Sequence, residues 1–258
     1  MADPLAIVVT VAVAAMWPTA TSSVTARPGA TVAAASPAVG ALFTVRAGQL
    51  RAHFCSASVV DSPGGDLLVT AAHCVQGYLD ASLGRLAFVP GYDHRTAPYG
   101  VWAVTRIFVD SSWASTNDPD DDVAFLAVAQ QPGTGAAIED VTGADRLGVG
   151  QPLDDSVLVT GYPDAEDQPI SCQNRTTALN PSQMRFDCAG YTAGTSGGPF
   201  LTSVDPGTGQ GTVIGVIGGY QQGGYTPDIS YSATFGQNVR ALYGLAVTKE
   251  LAAEHVGS

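Results

Sequence analysis

The chain has 258 residues, and most of its few charges are negative. It carries 11 Lys and Arg against 23 Asp and Glu, which gives a net charge of −12 at pH 7. Because contacts to phosphate need clustered basic side chains, this balance argues against nucleic-acid binding. A hydrophobic fraction of 45% excludes a wholly disordered chain, and 30 Gly and 16 Pro indicate a globular protein rich in loops and strands.

The N-terminal residues have the composition of an export signal and leader. Residues 5–17 form an uncharged apolar run that is shorter than the roughly 20 residues of a membrane-spanning helix. The run fits the apolar part of a secretory signal, although Asp3 stands where a basic residue is usual. A buried strand, or an artificial start fused to a truncated leader, is the alternative. Because residues 21–38 are mainly Ala, Thr, Ser and Pro, we expect residues 1–38 to be a signal-like leader or a disordered pro-segment.

Four cysteines, at positions 55, 74, 172 and 188, fall into two local pairs. No Cys-x-x-Cys spacing occurs, which argues against a zinc ribbon or a thioredoxin-like site. Three disulfide connectivities are open, and four free thiols in a cytosolic protein are the alternative. We favour Cys55–Cys74 and Cys172–Cys188, because each pair closes a short loop. A bridge that closes a loop of about 15 residues stabilises by roughly 3 kcal/mol in the chain-entropy model. Together with the leader, these pairs predict a secreted, extracellular protein.

Short apolar segments rich in β-branched residues predict a chain made mostly of strands. They occupy residues 54–60, 67–70, 101–109, 123–128, 157–160, 213–217 and 230–235, with turn-forming clusters between them. Helical spacing occurs near the C terminus, where Val239, Leu242, Tyr243 and Ala246 follow the candidate N-cap Asn238. Many strands and one terminal helix favour an all-β barrel or sandwich, with the Gly- and Pro-rich residues 130–135 as a midpoint linker.

Two motifs place a histidine and an aspartate beside predicted strands. His73 lies in TAAHC, directly after the strand 67–70, and Asp122 opens the strand 123–128. Each is weak alone, because a single histidine is usually structural and the acids around Asp122 could form a solvated loop. A calcium loop is a poor fit, since it would need Gly and Glu at positions that hold Val123 and Ala129.

A third motif, GTSGGP at residues 194–199, surrounds a serine with glycines. It could be a flexible turn, but the glycines let backbone N–H groups approach a reacting carbonyl, and a strand follows. A serine hydroxyl needs a base to take its proton, and the base needs an acid to fix its tautomer. His73, Asp122 and Ser196 would supply these roles. The N–H groups of Gly194 and Ser196 would stabilise the oxyanion.

The three motifs, in this order, resemble the catalytic motifs of the chymotrypsin/trypsin-like serine endopeptidase family. The resemblance extends over residues 39–251 and is closer to secreted bacterial members. It implies two six-stranded antiparallel β-barrels packed face to face with a C-terminal α-helix. We expect the N-terminal barrel over residues 39–133 and the C-terminal barrel with the helix over residues 134–258, with the active site in the cleft between them.

The resemblance also implies a function. The protein would be a secreted monomeric serine endopeptidase that hydrolyses polypeptides through an acyl-enzyme. It would need no cofactor and no metal, and would bind neither nucleic acid nor, stably, a membrane.

The sequence departs from the family at the activation site. Thr195 replaces the acid that pairs with a newly made N terminus in family zymogens, and no Ile-Val-Gly-Gly start is present. We therefore expect a preformed oxyanion loop that needs no such ion pair. If a pro-segment is trimmed, Arg27 or Arg46 would be the cleavage point.

The specificity pocket departs as well. The resemblance assigns substrate binding to Gly190, Tyr191, Gly218, Gly219 and Tyr220. Gly190 replaces the pocket-floor Asp of members that cleave after Lys or Arg. Residues 215–220 contain no His, the residue that would bind a glutamate side chain of the substrate. Gly218 replaces a family Ser that binds the catalytic acid. An uncharged residue at the cleavage site is favoured. Asp228 could approach the pocket, or be a solvated turn residue.

Two other functions fit parts of the sequence. GTSGG satisfies the nucleophile-elbow pattern of α/β-hydrolases, but that fold needs an acid and a histidine after the serine, and only His255 follows. An inactive protease homologue that acts as a binding module would have the same fold. Such proteins usually lack a catalytic residue, and all three are present here.

Overall fold

The computed structural model describes residues 27–79 and 85–254. The apolar run at residues 5–17 and His255 lie outside these ranges. No helix within them is long and apolar enough to cross a membrane.

The described residues form fourteen strands and four α-helices. The strands are β1 (Thr31–Val32), β2 (Val39–Arg46), β3 (Gln49–Val60), β4 (Leu67–Thr70), β5 (Leu86–Pro90), β6 (Trp102–Val109), β7 (Ala124–Val128), β8 (Arg146–Leu147), β9 (Ser156–Gly161), β10 (Ile170–Asn180), β11 (Gln183–Asp187), β12 (Pro199–Thr202), β13 (Thr212–Val216) and β14 (Ile229–Ala233). The helices are α1 (Ala72–Val75), α2 (Ser111–Thr116), α3 (Ile138–Thr142) and α4 (Gln237–Glu254). The mostly-β chain with one long terminal helix confirms the predicted fold class.

The first half is a closed antiparallel barrel. Its six strands follow the order β2-β3-β4-β7-β6-β5. Large apolar side chains such as Leu42, Phe88, Trp102 and Phe125 are fully or almost fully buried and fill its core. Closure leaves this sheet with no free edge.

The second half is an eight-stranded sheet. Its path runs β14-β11-β10-β9-β12-β13-β8, and β1 pairs with β10. The strands from β9 to β14 pair antiparallel, and the short β8 adds a parallel pair with β13. The sheet curls back on itself, since the Gly218 N–H donates to the Tyr231 carbonyl at 2.9 Å. A second core of Val157, Val159, Phe186 and Phe200 packs inside it.

The terminal helix packs on the first barrel. Val239, Leu242 and Ala246 are buried, as the sequence pattern predicts. The helix begins at Gln237, whereas an N-cap at Asn238 would make Val239 its first residue. The Asn238 amide instead donates to the Asp121 carboxylate at 2.6 Å, so this residue ties the helix to the acidic loop.

Part of the segment expected to be disordered is ordered. β1 adds to the edge of β10, with Thr31 opposite Ser171. The Ala30 N–H donates to the Ala189 carbonyl at 2.7 Å, and the Ala189 N–H donates to Pro28 at 2.9 Å. An open sheet edge offers unpaired backbone groups, and this segment satisfies them although its composition is that of a linker.

Candidate active site

A short helix presents His73 at the end of a barrel strand. β4 ends at Thr70 and α1 begins two residues later. Cys74, next to His73, is bridged to Cys55 in β3, so the helix is covalently tied to the barrel wall. This disulfide and Cys172–Cys188 confirm the predicted pairing.

Asp122 is fully buried and faces His73. A 3-10 turn over Pro119–Asp121 precedes it, and the Asp118 side chain caps that turn. The Asp122 carboxylate accepts 2.8 Å hydrogen bonds from the His73 backbone N–H and from Nδ1 of its ring. The Gly219 backbone N–H donates a further bond of 2.8 Å. Because an ionised carboxylate only accepts, His73 Nδ1 carries the hydrogen and Nε2 is left as a base.

The neighbouring acids hold the loop in place. Asp120 accepts from the buried amide of Gln183 at 2.7 Å, and Asp121 binds Asn238. The Gln183 carbonyl oxygen in turn accepts from the Tyr220 N–H at 2.9 Å. These hydrogen bonds hold the acidic loop that leads to Asp122 in a fixed position. The alternative interpretation, a solvated loop, is therefore wrong.

The loop 194–198 lies against the start of α1. The Gly197 N–H donates to Ile217 at 2.7 Å, and a side chain at Gly197 would collide with the Thr70 hydroxyl and the Ser56 carbonyl. This contact sets Ser196 beside the segment that leads to His73. In the described part of the chain, no hydrogen bond joins the Ser196 hydroxyl to the imidazole. Such bonds are often long before substrate binds.

Gly194 is required by its backbone. Its φ is +92°, and an added side chain would collide with backbone atoms of Tyr162 and Asp164. The positive φ and these close backbone contacts are the reasons that glycine is needed at this position.

Ser56 binds this loop at two backbone carbonyls. Its N–H donates to the Ser196 carbonyl at 2.7 Å, and its hydroxyl donates to the Gly194 carbonyl at 3.0 Å. The same hydroxyl accepts from the Tyr162 N–H at 2.8 Å. Ser56 is fully buried, so these bonds are shielded from water.

Thr195 closes the loop where the family acid is missing. Its hydroxyl donates to the Thr192 carbonyl at 2.7 Å, and its N–H donates to the same oxygen at 3.2 Å. Within the described residues, the N–H groups of Gly194 and Ser196 donate to no acceptor. Two free donors at this point are what an oxyanion hole requires.

A cavity of about 300 Å³ opens beside Ser196. Its lining residues carry no charge and are Tyr191, Thr192, Ala193, Thr195, Ser196, Ile217, Gln222, Gly223, Gly224, Tyr225, Thr226, Pro227 and Ser230. Of the substrate-binding residues expected from sequence, Tyr191 lines this cavity. Gly190 lies behind its wall, where the Gly190 N–H donates to the Pro227 carbonyl at 2.8 Å.

The other expected pocket residues lie elsewhere. Gly218 and Gly219 contact Asp122, and the exposed Tyr220 packs edge-on against Tyr231. Asp228 does not line the cavity and lies 3.7 Å from Arg27, with both side chains about half exposed.

One group in the site has the ligand types of a metal centre. The ligand atoms of Cys55, His73 and Cys74 lie within 4.8 Å of one another. The two sulfurs are bonded to each other and cannot act as thiolate ligands, so the donor set does not fit a metal ion.

Several residues of the site carry no signal in the local sequence. Ser56, Gln183 and the Gly219 N–H act across long sequence separations, and a single serine or glutamine has no motif. The loop 222–227 that lines the cavity could have been suspected from its paired glycines, which mark a backbone that approaches another group closely.

The comparisons with known proteins agree with this geometry. A family model described as a trypsin-like peptidase domain matches residues 55–216. A comparison with curated proteins finds no match. Protease Anisep from Arthrobacter nicotinovorans has a TM-score of 0.70 at 23% identity, over 84% of this chain and 98% of that one.

Two further solved structures are similar. The thermostable serine protease AL20 from an extremophilic microorganism has a TM-score of 0.68 at 26% identity, over 83% of this chain and 98% of that one. A Glu endopeptidase in complex with MPD has a TM-score of 0.65 at 17% identity, over 86% and 98%. Because the family model matches more than half of this chain, the chain belongs to the trypsin-like peptidase domain family and is a serine endopeptidase.

Proposed function

We propose that the protein is a secreted endopeptidase in which Ser196, His73 and Asp122 form the catalytic triad. The observation that carries the proposal is the pair of 2.8 Å bonds from His73 to the buried Asp122, which leave Nε2 as a base. Family membership supports a polypeptide substrate. The two disulfides support export, since such bonds persist in oxidising compartments.

The reaction would pass through an acyl-enzyme. Ser196 Oγ attacks the peptide carbonyl while His73 Nε2 takes its proton. Asp122 holds the ring orientation and stabilises the imidazolium, and the N–H groups of Gly194 and Ser196 bind the developing oxyanion. His73 then gives its proton to the leaving amine, and water repeats the cycle to release the acyl group from Ser196.

The oxyanion loop would be formed without an activating N terminus. The bonds of Ser56 and Thr195 to the loop support this, because they satisfy its buried backbone without any ion pair. Forms that begin at successive residues from 27 to 40 would test it. We expect several of them to be active, and a requirement for one unique new N terminus would refute a preformed loop.

The residue at the cleavage site would be uncharged. Among the described residues no charged side chain lines the cavity, and its lining includes the polar residues Thr192, Thr226 and Ser230. The similarity to a Glu endopeptidase does not carry that preference over, since among the described residues no basic group or histidine lines the cavity to receive a carboxylate.

We also propose the organisation that the sequence indicates. Residues 39–133 would form one unit and residues 134–258 the other, after a leader over residues 1–38 whose residues 28–32 pair with the second unit. The enzyme would act as a monomer, without nucleic acid or stable membrane association.

An unbiased peptide library tests the assignment. The wild type should cleave it, and Ser196→Ala should lose several orders of magnitude in turnover. Cleavage by both proteins would refute the role of Ser196. Cleavage by neither would favour the inactive binding module. The cut sites report the preferred residue directly, and cleavage mainly after Lys, Arg or Glu would contradict an uncharged preference.

A further inference from the structure

Three arginines meet at one end of the first barrel. Arg46 ends β2, Arg51 lies near the start of β3, and Arg85 directly precedes β5. β2 pairs with both of the other strands, which brings the three positions to the same end of adjacent strands. With Thr44, Val45 and Tyr78 these exposed side chains line a cleft of about 690 Å³. We call it the arginine cleft.

The arginines of this cleft have no acidic partner in the part of the chain that the structure describes. Five other arginines do form ion pairs with carboxylates, namely Arg27, Arg95, Arg106, Arg175 and Arg185. Arg146 and Arg240 also have no carboxylate partner among the described residues. The cleft differs from them because it brings three such arginines together at one place. No described carboxylate lines the cleft. Like charges held together repel each other, and an anion in the cleft would relieve that repulsion.

The floor of the cleft is fixed before any ligand arrives. The Arg85 guanidinium lies over the Tyr78 ring, 5.7 Å from its centroid. Tyr78 is half-buried and packs against Phe54 at 6.0 Å between ring centroids. Stacking on an aromatic face leaves the guanidinium edge free to bind a carboxylate with two parallel bonds.

The cleft lies close to the catalytic base. The 3-10 helix Gln76–Tyr78 directly continues α1, which carries His73. At about 1.5–2 Å of rise per residue, Tyr78 lies roughly 10 Å along the chain from His73. An extended peptide covers about 3.3 Å per residue, so about three residues span the distance to Tyr78, and up to about six allow for a path that is not straight or that continues to the arginines.

We propose that the arginine cleft binds an acidic segment of the polypeptide substrate, about three to six residues away from the bond that is cut. The proposal rests on the proposed proteolytic function, because the active site determines which peptide reaches the cleft. Its ligand chemistry is the carboxylate of Asp or Glu. The protein would thus select substrates by charge at a distance, while the cavity beside Ser196 reads an uncharged residue.

Matched peptides test the proposal. Each pair shares the preferred cleavage sequence and carries either three Glu or three Gln at the stated distance, on one side of the bond or the other. We expect the wild type to cleave the Glu peptide of one side with a KM about tenfold lower, with kcat unchanged and the preference weakened by salt. The variant Arg46→Gln/Arg51→Gln/Arg85→Gln should lose this preference and cleave the Gln peptide as before.

A second triple variant controls for net charge. Arg146→Gln/Arg175→Gln/Arg240→Gln removes the same charge from other surfaces and should keep the preference. Equal KM values for the two peptides in the wild type, or equal loss in both triple variants, would overturn the proposal. A third outcome is that heparin binds the wild type and not the cleft variant, while the two peptides are cleaved alike. The ligand of the cleft would then be a sulfated polysaccharide, and the proposed acidic peptide would be wrong.

Failure of the proposed function gives a different result. If no peptide is cleaved, the affinity of fluorescent Glu and Gln peptides for Ser196→Ala still tests the cleft. The measurement is made with and without the three cleft substitutions. Tighter binding of the Glu peptide that depends on the arginines would support the cleft. Equal binding would refute it.

Discussion

Two aspartates, Asp122 and Asp145, are fully buried, and their partners differ. Asp122 accepts from two groups of His73 and from the Gly219 N–H. Asp145 accepts from the Ser58 hydroxyl and, at 2.8 Å, from the Gly211 N–H, with no basic side chain among its described partners. Burial is the main cause that raises the pKa of Asp145 to about 6.

The backbone of Asp145 explains why a buried acid without a cation is retained. Its N–H donates to Val59 and its carbonyl accepts from Asp61, both at 2.9 Å. The residue therefore fastens the first barrel to the β8 region of the second half. Asp122 also bridges the halves, but one of its donors is an imidazole that can move a proton. Burial alone thus does not distinguish Asp122, the proposed catalytic acid, from Asp145, whereas its imidazole partner does.

The largest effect is expected from Asp122→Asn. An amide in place of the carboxylate no longer fixes Nδ1 as the protonated nitrogen, and kcat should fall by about 10⁴-fold, as loss of the triad acid does in related geometry. Steady-state cleavage of a peptide from the library would measure this. Asp145→Asn is the matched control and should keep kcat within about threefold. If both substitutions lowered kcat equally, the distinction between the two acids would fail.

Asp145→Asn should instead change the pH dependence of stability. The native pKa of Asp145 is about 6 and its ordinary value is 3.8. The native state therefore binds the proton more tightly, and the stability that Asp145 contributes is lost as pH rises through about 4 to 6. A shift of this size corresponds to about 3 kcal/mol. The amide does not titrate, so the free energy of unfolding of the variant should rise relative to that of the wild type at higher pH.

Urea unfolding at about pH 4.5 and about pH 7.5 measures that gain. Both proteins should carry Ser196→Ala to prevent self-digestion. The difference in free energy of unfolding between variant and wild type should shift toward the variant at the higher pH. The exposed Asp154→Asn serves as the control and should show no such shift. A difference that is the same at both pH values would mean that Asp145 titrates normally in the folded protein.

Local sequence patterns indicate the residues that we propose to be catalytic, because their chemistry requires such a pattern. His73, Asp122 and Ser196 stand beside strand ends, and the cysteine next to His73 closes a short loop. β4 was predicted with its observed bounds, because four apolar residues lie between clear turn signals. Residues that act through backbone groups far along the chain were not predictable in this way. β1 was missed because an open edge, and not its own composition, orders it.

Ser56 and Ser58 on β3 also differ in whether a buried polar group contacts the proposed active site. They lie two residues apart on β3, so they share one face, and both are fully buried. The Ser56 hydroxyl binds the loop at Gly194, whereas the Ser58 hydroxyl binds Asp145. Either change to Ala leaves buried polar groups without a partner, which costs about 1–3 kcal/mol of stability. Only Ser56→Ala should also lower the rate of the reaction.

Ser56→Ala should lower kcat by about 10- to 100-fold with little change in KM, because a looser oxyanion loop loses transition-state binding more than ground-state binding. It should also weaken a peptide boronate inhibitor, whose tetrahedral adduct uses the same N–H groups. Ser58→Ala should be destabilised to a similar extent and keep both properties. Ser56→Thr retains a hydroxyl and should recover part of kcat. Equal kcat losses in Ser56→Ala and Ser58→Ala would show that general destabilisation, and not loop position, is the cause.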